Sequence, residues 1–142
     1  MSAEPLTERE AARRWALAYN THDPAPLVPI LADDVRVMSR WVVADMVGRQ
    51  VYLDYLTTKF ATFETMGSHI RVELAEVPGD APGEVGRPCA LLEQDGTVLA
   101  TVLFDFIAGK LSQVSLSDHP APGDCLGSGE YPGFEERTDA VN

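Results

Sequence analysis

The chain has 142 residues but only two lysines, Lys59 and Lys110, against 22 acidic residues, and its formal charge is −11. Cations this sparse and scattered argue against a nucleic-acid or anionic-membrane surface, since both need clustered Lys and Arg. The acidic surplus reads as solubility. Cysteine is equally scarce. Cys89 and Cys125 match no metal-ligand spacing and are expected as free thiols in a reducing cytoplasm. His22, His69 and His119 have no ligand partner at useful spacing, and the glycines of residues 79–86 do not follow a phosphate-loop pattern. No metal and no cofactor are expected. No apolar run approaches the roughly 20 residues that cross a bilayer. Residues 1–6 show neither a basic region nor an apolar one, so no secretory signal is expected and the protein is placed in the cytoplasm.

What is present suits one globular domain with 45% hydrophobic and 23% charged residues. The longest apolar run is residues 97–107, rich in β-branched and aromatic side chains and bounded by Asp95-Gly96 and Ala108-Gly109. It reads as a strand between two hairpins. Leu99, Thr101, Leu103 and Asp105 alternate with Val98, Ala100, Val102, Phe104 and Phe106. A strand apolar on both faces must be covered on both.

Upstream, Thr7 and Glu10 have capping-box spacing before a helix to about residue 20, with Ala12, Trp15, Ala16 and Tyr19 on one face. Asp23-Pro24 predicts the start of a short second helix reaching about residue 31, made irregular by Pro29. Residues 35–39 alternate as a strand, residues 41–46 form a second short one, and a third helix spans about 49–63. Strands follow at 69–77, 87–94, 97–107 and 110–118. From Pro120 onward glycines, prolines and charges predict an extended or disordered tail, which Tyr131 and Phe134 would pin to a neighbouring surface. The chain divides into one domain, residues 1–119, and an acidic Gly/Pro-rich tail, residues 120–142. The class is α+β, with three N-terminal helices on one strongly curved, mainly antiparallel sheet.

Asn20-Thr-His-Asp23 closing the first helix, Leu31-Ala-Asp-Asp-Val35 leading into a strand, Gly48-Arg49 opening a helix, and the hairpin from Phe104 to Leu111 occur in an order that resembles the NTF2-like (SnoaL-like, cystatin-like α+β barrel) superfamily over residues 7–119. The resemblance implies a cone with an apolar pocket at one end, and often a homodimer through the outer face of the sheet. Here that face would carry Cys89, Val102, Phe104 and Phe106. It spans enzymes and chains without known activity, so the fold does not settle function.

The catalytic versions transfer poorly. Where steroid-isomerase-like members use a tyrosine and two acids, this chain places Trp15, Ser39 and Thr101. The Asp–Arg–Asp arrangement of epoxide-hydrolase-like members is missing, because Leu103 and Ile107 flank Asp105. Asp118, near the end of the last strand beside Leu116 and Val114, remains the candidate general acid or base, with a raised pKa expected from an apolar setting. Candidate pocket residues are Trp15, Tyr19, Ser39, Trp41, Tyr55, Thr101, Leu103, Val114 and Leu116, suited to a small hydrophobic or aromatic molecule. Two functions stay open: a non-catalytic ligand-binding or assembly module, and a cofactor-independent acid–base enzyme.

Overall fold

The computed structural model describes residues 6–40, 45–67, 69–79 and 86–134. Helix α1 (Glu8–Thr21) starts where Thr7 accepts a hydrogen bond from the Glu10 amide at 3.1 Å. Glu10 does not close the capping box; its carboxylate takes Arg14 Nε at 2.9 Å instead. A single 3-10 turn (Ala25–Leu27) replaces the expected second helix. Pro29 removes a donor that a longer helix would need, whereas Pro24 and Pro26 lie in the first turn, whose N–H groups have no helical partner. Among the described residues there are therefore two α-helices rather than three, the second being α2 (Arg49–Met66). No helix among the described residues is long and apolar enough to cross a membrane.

The strands are β1 (Leu31–Ser39), β2 (Met46–Val47), β3 (Ile70–Val77), β4 (Arg87–Gln94), β5 (Thr97–Ile107), β6 (Lys110–Ser117) and β7 (Leu126–Gly127). They form one sheet in the order β2-β1-β6-β5-β4-β3-β7. Its pairings are antiparallel except β1 with β6, which is parallel, so the sheet is mixed. The apolar stripe of α1 lies over this sheet. Trp15, Ala16, Leu56, Val72, Ala90, Val102, Phe104 and Val114 are buried in one core.

Both hairpins around β5 carry an irregularity that alternation alone does not reveal. Phe106 pairs with Leu111 across the Ala108-Gly109 turn, but Asp105 pairs with Gln113, so Ser112 is an extra residue. On the other side Gln94 and Glu93 pair with Thr97 and Val98, but Leu92 pairs with Ala100, so Leu99 is extra. Each bulge slips the register by one, and one residue of slip exchanges the faces of a strand. β5 is consequently inverted relative to the simple hairpin reading. Val102 and Phe104, expected on an outer dimer face, are fully buried inside, and the Phe104 ring packs 6.1 Å from Trp15. Phe106 packs against the same core. Thr101 and Leu103 turn outward. Val114 and Leu116 keep the inward orientation expected from the sequence, because their own strand is not inverted.

Cys89 lies on the outer face beside Cys125, and residues 120–125 fold back over that region. Thr101 Oγ1 donates to the Pro120 carbonyl at 2.7 Å and lies 3.8 Å from Cys125 Sγ. β7 pairs with β3, and the Asn20 amide donates to the Pro132 carbonyl at 2.7 Å. Tyr131 lies under the Arg71 guanidinium at 4.1 Å, a cation–π contact that anchors the segment. This part of the expected tail is tied to the sheet. Residues 135–142 lie outside the described ones.

Candidate functional site

Between α2 and the inner face of the sheet is a cavity of about 760 Å³. That lies within the ~300–1,000 Å³ common for small-molecule sites. Apolar walls come from Val37, Met46, Phe63, Ile70, Leu92, Val98, Leu99, Ala100 and Leu116. Polar groups are few: Tyr19, Ser39, Tyr52, Tyr55, Lys59 and Gln94. Val98, Leu99 and Tyr55 are exposed as well as lining, which marks the opening.

The tyrosines are set by aromatic packing. Trp15 stacks on Tyr19 with centroids 4.0 Å apart, and Phe60 meets Tyr19 edge-on at 5.0 Å. The Trp15 indole N–H donates to the Tyr52 hydroxyl at 2.9 Å. Neither tyrosine's O–H proton has an acceptor among the described residues, so both remain available to a bound molecule. Burial pushes the Tyr19 and Tyr52 hydroxyls above the usual phenol range, and neighbouring phenols add to this. The Trp15 hydrogen bond opposes the shift at Tyr52 only in part. Both are therefore neutral hydrogen-bond donors at physiological pH.

Of the residues singled out in the sequence, Tyr19, Ser39, Tyr55 and Leu116 line this cavity. Trp15 lies beneath it, fully buried, and acts on the site by orienting Tyr19 and Tyr52. Val114 is buried in the core and does not reach the space. Thr101 and Leu103 are on the opposite side of the sheet, for the bulge-related reason above. Trp41 lies outside the described residues.

Asp118 follows the end of β6 and is partly exposed. It is ion-paired to Arg40, with His119 Nε2 3.8 Å away. The guanidinium holds its carboxyl below the usual carboxylate range, and desolvation opposes this only in part. The raised pKa expected from an apolar setting is thus reversed, because a cation from the end of β1 supplies the counter-charge. Asp118 is not among the lining residues, which include neither a carboxylate nor an imidazole among those described.

Lys59 and Gln94 were not anticipated in the site. The available signal was Lys59 itself, a cation on the helical stripe shared by Tyr52, Tyr55, Phe60 and Phe63.

No protein-family model matches the chain, and no curated protein matches it in sequence. Solved structures do match in shape. A SnoaL-like protein of unknown function from Burkholderia thailandensis superposes with a TM-score of 0.59 at 16% identity, over 80% of this chain and 98% of that one. The fold is NTF2-like. A second NTF2-like protein of unknown function, from Mesorhizobium loti, gives 0.55 at 18% identity over 91% and 100% of the two chains. A proposed ketosteroid isomerase from Kribbella flavida gives 0.52 at 16% identity over 91% and 85%. At such identities the NTF2-like likeness speaks for architecture and not for chemistry.

Proposed function

We propose that this NTF2-like chain binds a small, flat, largely apolar molecule in its cone and works as a ligand-binding module. The observation that carries this reading is the recess itself: about 760 Å³, mostly apolar, with a few hydrogen-bonding groups directed at one space. Apolar walls supply affinity by removing ligand surface from water, and the Tyr19 and Tyr52 hydroxyls supply orientation. The acid–base enzyme reading needs a proton carrier beside the ligand. Tyr19 and Tyr52 hold their protons too tightly for that role near neutral pH, and the Arg40 partner makes Asp118 a weak base. Binding is therefore favoured.

The test uses a neutral planar fluorophore, N-phenyl-1-naphthylamine, with the wild type and Ala100→Trp. Ala100 is buried and lines the recess, so an indole there occupies the ligand's volume. Fluorescence enhancement should be saturable in the wild type and lost in the variant, with circular dichroism confirming that the variant folds. Equal enhancement in both proteins would place the dye elsewhere and refute the reading. If an identified substrate is turned over and Asp118→Asn abolishes that turnover without weakening binding, the enzyme reading replaces it.

A further inference from the structure

We propose that the molecule held in the cone carries one anionic group, a carboxylate or an acid of similar geometry, and that Lys59 receives it. This rests on the ligand-binding reading of the recess and names the class of ligand that it takes.

The pairing of the other cations makes Lys59 stand out. Arg9, Arg14, Arg36, Arg40, Arg49, Arg71 and Arg87 each face a carboxylate within ion-pair distance. The other lysine, Lys110, donates to the Pro29 carbonyl at 2.9 Å. Arg13 projects into solvent from α1. Lys59 alone among the described cations lines the recess, and no described carboxylate pairs with it, although the chain has 22 acidic residues.

Its position on α2 explains why. The residues three and four places away, Tyr55, Leu56, Thr62 and Phe63, include no acid, so no helical neighbour offers a counter-charge. The ammonium instead lies 5.4 Å from the centroid of the Tyr55 ring and 5.4 Å from that of Phe63, and both rings line the recess. Ring faces stabilise a cation but replace only part of its hydration. An arriving carboxylate completes the pair in a setting drier than bulk water, where a charge-assisted hydrogen bond is stronger. Nothing described in the wall repels an anion. The Gln94 side chain, with no partner among the described residues, adds a second donor to the lining. The acidic outer surface works the other way and disfavours casual anion binding elsewhere.

The experiment is isothermal titration calorimetry with 2-naphthoate and its uncharged methyl ester, at pH 7.5, on the wild type, Lys59→Met, Lys59→Arg and Ala100→Trp. Naphthoate should bind about tenfold more tightly than the ester, the scale of one part-buried charge-assisted contact. Lys59→Met should erase that preference by weakening naphthoate far more than the ester, and Lys59→Arg should keep most of it. Equal affinities for acid and ester in the wild type would overturn the assignment while leaving the recess as a binding site. So would equal losses for both probes in Lys59→Met. If neither probe binds, or Ala100→Trp binds both as the wild type does, the recess reading itself fails and the assignment falls with it.

Discussion

Replacing Asn20 by alanine should cost more stability than any other single change of a polar side chain outside the recess. Asn20 ends the apolar face of α1, and its amide behaves like one residue of an extra strand. Nδ2 donates to the Val72 carbonyl at 3.0 Å, and Oδ1 accepts from the Val72 amide at 2.7 Å. Nδ2 also donates to the Pro132 carbonyl at 2.7 Å. These contacts lie just beyond the stretch of β3 that β7 covers, and they join α1, β3 and the C-terminal segment in one place. Val72 is fully buried, so water cannot take over the two backbone groups that alanine would abandon. Three such bonds at about 1 kcal/mol each put the loss at about 3 kcal/mol. For a domain of this size that lowers the melting temperature by about 10 °C. Urea unfolding followed by circular dichroism measures it, with an unchanged m-value showing that the native state is still compact. Asn20→Asp sharpens the test. A carboxylate can accept from the Val72 amide but is repelled by both carbonyls, so its folded-state pKa would be raised. That variant should be most stable at low pH and lose stability as pH rises through the carboxylate range. A loss below about 0.5 kcal/mol in Asn20→Ala would refute the view that this amide is the bolt between helix and sheet.

Tyr52→Phe strands the buried Trp15 indole N–H and should destabilise by about 1–2 kcal/mol, with a double-mutant cycle against Trp15→Phe showing the coupling. Additive effects would mean that the hydrogen bond contributes nothing. Asp118 should titrate below the usual carboxylate range by NMR and return to it in Arg40→Gln. Its folded-state pKa is depressed, so the stability the pair supplies is present at neutral pH and disappears on acidification through that lowered pKa. Burial pushes the Cys89 thiol up to about 12, whereas Cys125 is partly exposed. A thiol reagent at pH 7.5 should label one cysteine quickly and the second only on unfolding, and two fast equivalents would contradict the packing of residues 120–125 over Cys89.

The sequence by itself determined what depends on neighbouring residues. The Thr7 cap, the apolar faces of α1 and α2, the two-residue turns at Asp95-Gly96 and Ala108-Gly109, and the alternation of β3 all follow from local conformational and burial preferences. Together they were enough to point to an NTF2-like fold. The Asn20 ending of the first helix was also visible, though not its two partner residues, which are 52 and 112 positions away. Tertiary structure decided which side of β5 is the inside. Its residues are apolar on both faces, so burial preference alone cannot choose, and the extra residues Leu99 and Ser112 settle the choice by shifting the strand against both neighbours. The same limit applies to charge. Folding gives Asp118 a guanidinium from just beyond β1 and gives Lys59 two aromatic rings beside an open recess, because a counter-charge is a matter of distance in space and not of order along the chain.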